Sequence, residues 1–407
     1  MRASMRLFNN IEEAFFVSRP NRFVVHCSLK GAEIKAYLPN PGRLSELFLP
    51  GVRLYLEKSL NKERKLPYTV VAVLSRGYPV LLHTHRTNDV AEFLLKEKRV
   101  PGLEDARIIK REKTVGESRF DFFLERETKE DNKGKRGKGG RGVKEILLEV
   151  KSCTLFCGPV AMFPDAVTLR GRRHVQELAA LAGAYVEGHV LFVINHPTIS
   201  AFIPDFHTDP AFAEALLRAR ESLTITPLAI SLDSDFTVKA ETRVLPVLWD
   251  VVKEHNIDGG AYLCQLHLPC DKKINVGALG GVNFKKGYYT YVGSAQKNLE
   301  KRMKRHGRRG KKLFWHIDYL AEEADFVRIL PVRTKDDLEC AIARRMKGLS
   351  EWSLKGFGAS DCACSTHLFA TKDDPFTKEG FHEMLSYFRA ERFLPAAAPS
   401  AADHTEG

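Results

Sequence analysis

No uninterrupted apolar run of about 18 residues occurs in this 407-residue chain, so no membrane-spanning helix is expected. The opening MRASMRLFNNIEEAFF lacks the basic–apolar–small order of a secretory signal, because Glu12 and Glu13 interrupt its apolar run. Cysteine is sparse. Eight scattered residues form no disulfide framework, and without a signal they point to a reducing cytoplasm. Acids are outnumbered, 51 against 63 lysines and arginines, which leaves a net charge of +12. That excess favours a polyanionic partner, most simply DNA or RNA, and says nothing about fold. With 44% hydrophobic and 28% charged residues the composition is that of ordinary globular protein, and the length favours two or three domains.

Residues Phe8 to about His85 alternate short β-rich runs with turns, including Arg22-Phe-Val-Val-His-Cys27, Ala32-Glu-Ile-Lys-Ala-Tyr-Leu38 and Tyr68-Thr-Val-Val-Ala-Val-Leu74. Short strands joined by Pro-Gly turns predict a small OB-like barrel, a common nucleic-acid platform. Leu38-Pro-Asn-Pro-Gly-Arg-Leu44 is a turn that offers Asn40 and Arg43; either they contact nucleic acid, or Asn40 and Gly42 only shape the turn.

From about Thr87 the pattern becomes mixed helix and strand, with a helix expected to be capped by Asn88. Ser118-Arg-Phe-Asp-Phe-Phe123 and Ile146-Leu-Leu-Glu-Val-Lys151 read as two strands. Strand alternation projects Glu149 and Lys151 together and sends Val150 to the core. Asp121 and Glu149 can share a divalent cation, Mg²⁺ or Mn²⁺, with Lys151 beside the reacting oxygens, which suits phosphodiester hydrolysis. An E-x-K alone recurs by chance, so its neighbours decide its weight. The Gly/Lys/Arg-rich stretch Glu127–Lys144 is expected to be a hairpin tip. Phe163-Pro-Asp-Ala-Val-Thr-Leu-Arg-Gly-Arg-Arg-His174 then leads into a helix and a buried strand, giving an α/β core.

A connector over 246–258, in which Val247-Leu-Trp-Asp-Val-Val252 can pack as a short helix, precedes a third unit. There Gly260-Ala-Tyr262 and Gly287-Tyr-Tyr-Thr-Tyr-Val-Gly293 read as strands, and Asn298 as the cap of a helix carrying Arg302 and His306 on one face. Tyr262, Tyr291, Arg302, His306 and a later acid, Glu339, suit a single-metal phosphodiester site. Tyrosine or histidine deprotonates water, arginine meets the developing charge, and Glu339 holds the cation. Cys362, Cys364 and His367 are three soft ligands that lack the second half of a usual zinc spacing; local packing is the competing reading. The Ala/Pro-rich end, beyond about Asp373, is expected to be frayed.

Pro39-Asn-Pro-Gly-Arg43, Ser118-Arg-Phe-Asp121, Glu149-Val-Lys-Ser152 and the long Phe163–His174 motif give residues 5–245 a close resemblance to the sugar fermentation stimulation protein A family. The resemblance implies an OB-like domain over 1–85 and a PD-(D/E)xK nuclease-like domain over 86–245. It also implies that Asp121 and Glu149 are metal-binding acids, Lys151 the catalytic lysine, and Arg170, Arg172 and His174 phosphate contacts. Residues 259–370 resemble the Uri-type branch of the GIY-YIG endonucleases, with Tyr262, Tyr291, Gly293, Arg302, His306 and Glu339 at the motif positions. The departures are a Gly-Ala-Tyr first triplet, a Tyr-Val-Gly second triplet, an inserted hairpin over Pro269–Gly281, and no late asparagine, Ser360-Asp361 being the nearest polar pair. The expected protein is multidomain: a β-barrel, an α/β PD-(D/E)xK-like domain, a small α/β GIY-YIG-like domain, and a tail over 371–407, disordered in part. Two functions follow: a metal-dependent nuclease with two centres, or a DNA-binding transcriptional regulator that keeps nuclease folds. Oligomeric state stays open.

Overall fold

The computed structural model describes residues 4–61, 63–129 and 141–395. After a short strand β1 (Met5–Arg6), six strands follow: β2 (Ile11–Asn21), β3 (Val24–Leu29), β4 (Ala32–Tyr37), β5 (Arg53–Lys58), β6 (Tyr68–Ser75) and β7 (Tyr78–Leu81). Period-two patterning builds them; in β3, Val25, Cys27 and Leu29 turn inward. Their order is β4-β3-β2-β5-β6-β7, and parallel pairing of Tyr37 with Thr69 brings β4 back onto β6. Five strands thereby close into a barrel, with β7 paired onto β6 beside the closure.

The second unit comprises α1 (Thr84–Lys96), β8 (Arg107–Val115), β9 (Ser118–Lys129), β10 (Arg141–Cys153), β11 (Leu155–Cys157), β12 (Val160–Phe163), α2 (Leu169–Leu181), β13 (Val186–Asn195), β14 (Ala201–Pro204), α3 (Pro210–Ala219), β15 (Leu223–Ile230), β16 (Thr237–Val238) and β17 (Arg243–Val244). Its mixed sheet runs β17-β15-β13-β10-β9-β8: β8, β9 and β10 are antiparallel neighbours, while β13 lies parallel to β10 after the α2 crossover. Local chemistry sets the helix starts. Thr168 Oγ1 accepts the Gly171 N–H at 3.0 Å, and Asp209 accepts the Phe212 N–H at 3.0 Å with Pro210 in the first turn. The tip of the predicted hairpin, 130–140, lies outside the described residues. Barrel and sheet share core: Leu54 and Val73 belong to one apolar cluster with Phe120, Val175 and Phe192. Among the described residues, no helix is long and apolar enough to cross a membrane.

The third unit contains α4 (Trp249–His255), β18 (Gly260–Leu268), β19 (Lys272–Asn275), β20 (Gly281–Phe284), β21 (Gly287–Ala295), α5 (Leu299–His306), α6 (His316–Glu323), β22 (Asp325–Arg333), α7 (Glu339–Leu349), β23 (Trp352–Ser353), β24 (Leu368–Thr371) and α8 (Glu379–Arg389). Five strands run β22-β18-β21-β24-β23, and β19 and β20 form a separate hairpin that begins in the expected insertion and runs past its end at Gly281 to Phe284. Alternation along β18 sorts the faces. Tyr262, Cys264 and Leu266 pack with Leu299 of α5 and Leu320 of α6, whereas Ala261 and Leu263 pack with Ile342 of α7 and Phe381 of α8.

Two expectations change here. The helix placed at Asn88 starts four residues earlier, at Thr84, where Thr84 Oγ1 donates to Pro39 O at 2.7 Å and ties it to the barrel turn. The short helix read within the connector forms as α4, over Trp249–His255. The stretch expected to be frayed holds α8, whose Phe381, Leu385 and Phe388 are buried; residues 396–407 lie outside the described residues. The C-terminal segment joins third unit to second: Ala390 and Phe393 pack with Cys157, Met162 and Phe206. His207 lies at that seam, with Nδ1 accepting the Arg333 N–H and Nε2 against Arg389 O, both at 2.9 Å.

Candidate functional site

Two strands place the first site. The β9–β10 ladder runs down to the pair Leu148–Phe122, and at the next step the Asp121 carboxylate replaces main chain as partner. Its Oδ2 accepts the Val150 N–H at 2.8 Å, and Oδ1 accepts Asn88 Nδ2 at 2.7 Å. Val150 points into the core beside Leu148, as alternation requires, and Glu149 and Lys151 share the other face. Lys151 Nζ donates to Glu149 Oε1, which also meets His174 Nδ1 at 2.7 Å. Glu149 is 3% exposed, and its second oxygen, Oε2, is buried without a hydrogen-bond partner.

That orphan oxygen matters because an unpaired buried acceptor is costly unless something fills its place. A divalent cation is such a filler, so the donor set of Asp121 and Glu149 fits a hard metal ion. The electrostatics separate the acids. Burial, then the Glu149 charge, raises the Asp121 pKa, partly offset by the Val150 and Asn88 hydrogen bonds. Burial also works against charged Glu149, but the His174 hydrogen bond and the Lys151 charge outweigh it and hold Glu149 below the ordinary value. One carboxylate is therefore held ionised while its neighbour lies closer to taking a proton.

Asp121 and Lys151 line a groove of about 410 Å³ shared with Arg22, Asn40, Gly42, Asn88 and the Phe163–Thr168 loop. The barrel turn and this loop are coupled: Leu44 N donates to Asp165 Oδ2 at 2.7 Å, and a Cβ on Gly42 would lie 2.8 Å from the same oxygen. Asn40 is buried and its Oδ1 accepts the Gly42 N–H at 2.9 Å, so it shapes the turn while bordering the groove. Arg43 is exposed; with Arg19 and Arg22 it lines an adjoining depression of about 420 Å³.

The motif opening α2 splits in role. His174 is not a surface group. It is 3% exposed, held between Glu149 and Arg170, whose Nε lies 3.3 Å from His174 Nε2. Arg170 is exposed and Arg172 half-buried. Sequence reasoning missed Asn88 as the partner of Asp121, having assigned it to a cap.

The second site gathers where β18, β21, α5 and α7 converge. Tyr262 Oη and His306 Nε2 are 2.7 Å apart, and the Tyr262 and Tyr291 rings stand 6.4 Å apart. Gly293 allows this approach, since a Cβ there would lie 2.5 Å from Tyr262 Oη and 2.8 Å from the Tyr291 ring. Burial raises both tyrosine pKa values and lowers that of His306 to about 4, so the imidazole is neutral at neutral pH. Arg302 Nη1 donates to Ser294 O at 2.7 Å and its guanidinium lies 4.6 Å from the centre of the Trp315 ring. Glu339 opens α7; Ser294 Oγ donates to its Oε2, and His367 Nδ1 lies 2.7 Å from its Oε1. Asn298 precedes α5 in left-handed backbone, φ 60°, without a side-chain capping bond. Ser294 and the His367 link carried no signal in the sequence, because only the folded sheet brings β21, α7 and the β24 approach together.

A closed five-stranded barrel joined by common core to a mixed sheet with an acid–acid–lysine cluster defines a two-domain class carrying an additional α/β unit. The chain belongs to the sugar fermentation stimulation protein family: the family's N-terminal OB domain matches residues 17–82 and its RE domain residues 85–236. The homologue from Clostridium tetani is 35% identical over 243 residues, 59% of this chain and 100% of its own length. That from Methanothermobacter thermautotrophicus is 35% identical over 219 residues, 54% of this chain and 85% of its own. A solved structure of Pyrococcus furiosus SfsA in complex with Ca²⁺ superposes with a TM-score of 0.51 at 31% identity, covering 60% of this chain and 99% of that one. Residues 261–390 match a domain of unknown function, DUF123.

Proposed function

We propose that this chain is a divalent-metal-dependent nuclease whose principal centre is Asp121, Glu149 and Lys151 in a PD-(D/E)xK-like sheet, fed by the OB barrel. The single observation that carries the reading is the buried, unpartnered Glu149 Oε2 beside Asp121. The Ca²⁺ complex of the Pyrococcus furiosus relative supports a hard divalent cation, and Mg²⁺ or Mn²⁺ is the working ion proposed. When bound, such an ion neutralises phosphate charge and acidifies a coordinated water. The chain's own groups do the rest. Lys151 holds a positive charge at the groove floor for the transferring oxygens, and His174 fixes the Glu149 carboxylate. Asn88 fixes Asp121, and Arg22 and Arg43 hold the phosphate backbone along the rim.

The third unit is proposed to be a second, Uri-type GIY-YIG centre, in which His306 positions the Tyr262 hydroxyl, Tyr291 and Arg302 face the reacting phosphate and Glu339 holds the cation. Partners are DNA or RNA, in the cytoplasm. The test is cleavage of single- and double-stranded DNA and RNA by the full chain with Mg²⁺ or Mn²⁺. Cutting lost on Glu149→Gln supports the reading. No cutting of any substrate sinks it, and salt-sensitive binding that survives Glu149→Gln would then favour a DNA-binding regulator.

A further inference from the structure

The soft-ligand trio near the C-terminus has a fourth member that the spacing did not reveal. Cys340, in the first turn of α7, faces Cys362 and Cys364 from the loop between β23 and β24, and His367 from the residue before β24. One ligand atom from each lies within 4.8 Å of every other. A tetrahedral zinc shell, with Zn–S near 2.3 Å and Zn–N near 2.1 Å, separates its ligand atoms by about 3.6–3.8 Å. Cys362 Sγ stands 3.4 Å from His367 Nε2, slightly inside that spacing.

The histidine is oriented as a ligand. Its Nδ1 faces Glu339 Oε1 at 2.7 Å, which leaves Nε2 for the thiols. A metal-binding imidazole that gives its other N–H to a carboxylate is the recurring outer-shell arrangement of zinc sites. His367 is 2% exposed and the three cysteines are part-buried, so ligand exchange with water is restricted. The loop also needs a fastener. Between Ser353 and Leu368 it has no helix or strand, and it turns through left-handed Gly356 and Gly358, at φ 77° and 68°.

We propose that Cys340, Cys362, Cys364 and His367 bind one Zn²⁺ that pins the β23–β24 loop to α7. Four protein ligands leave no open position, so the ion is structural, and the three thiols release protons as it binds. Through His367 it also holds Glu339, which makes His367 a positioning residue for that acid. The site stands on the ligand cluster and is independent of whether either centre cuts nucleic acid.

The test is elemental analysis of the full chain purified under reducing conditions without chelator, followed by replacement of the metal with Co²⁺. One zinc per chain is expected, with intense tetrahedral d–d and thiolate-to-cobalt charge-transfer absorption after exchange. Cys340→Ser and Cys364→Ser each lower zinc retention at least about tenfold, while Asp121→Asn leaves it unchanged. The proposal is overturned by reduced, folded chain that holds only traces of zinc and shows no thiolate–cobalt bands on reconstitution. Zinc content unaltered by both cysteine replacements, or a disulfide within the trio in chain that takes up no metal after reduction, overturns it equally. None of these readouts involves cleavage, so failure here and failure of the nuclease reading are separable.

Discussion

The two candidate centres treat their acids in opposite ways. In the second unit Glu149 keeps one buried oxygen without a partner, beside a second carboxylate whose pKa burial has raised. In the third unit both oxygens of Glu339 already meet protein donors, Ser294 and His367. In the first arrangement a cation would partner the orphan oxygen and offset the raised Asp121 pKa; the Glu339 carboxylate is satisfied without one. Tyr262 Oη and His306 Nε2 likewise meet each other, although His306 Nδ1 is buried without a hydrogen-bond partner. The sheet centre is accordingly the one poised for a divalent ion, and the tyrosine centre the one that must give up hydrogen bonds to take one.

Substitutions separate the two centres. Glu149→Gln removes the charge that anchors Lys151 and the cation, and cleavage should fall by roughly 10³-fold, read as initial rates on the best substrate. Glu339→Gln in the same assay should cost less, roughly tenfold, if the tyrosine centre assists; a loss equal to that of Glu149→Gln would invert the ranking. The acid side of the tyrosine centre is read through stability. His306, held near pKa 4 by burial, binds its proton more readily unfolded, where 6.5 is usual. Its contribution is therefore full above 6.5 and lost as pH falls toward about 4, by up to about 3 kcal/mol. Urea melts of wild type and His306→Gln across that range should converge at low pH. Gly293→Ala places a methyl against both tyrosines and should destabilise by about 1–3 kcal/mol, seen as a lower Tm with the sheet centre unaffected. Asn88→Ala has the smallest expected effect. Asp121 loses a hydrogen bond to its charged form, so its pKa rises further and the acid limb of the pH–rate profile moves to higher pH.

Much of the sheet centre was legible because its signals are local. Period-two alternation alone puts Glu149 and Lys151 on one face and Val150 in the core, and the structure places them so. The barrel was legible for the same reason, from alternating strands and Pro-Gly turns. What stayed hidden depends on tertiary contact. Asn88 has the chemistry of a cap, but a bond from Thr84 to the barrel starts α1 earlier and turns Asn88 toward Asp121. His174 sits in a run of arginines and read as a phosphate contact; only the α2–β10 packing shows it buried against Glu149. Cys340 is separated from Cys362 by a helix and a strand, so no spacing rule joins them. The Ala/Pro-rich end obscured α8, whose apolar face is earned by packing against α7 and β11 rather than by composition.

Whether Asp121 and Glu149 hold a divalent cation is tested without a substrate by direct Mn²⁺ titration of the full chain. The titration is followed by electron paramagnetic resonance of the free ion, in a Glu339→Gln background so that only the sheet centre is read. Saturable Mn²⁺ uptake is expected, weakening at least about tenfold when Glu149→Gln is added. Uptake of equal affinity with and without Glu149, or none in either chain, would contradict that cation site.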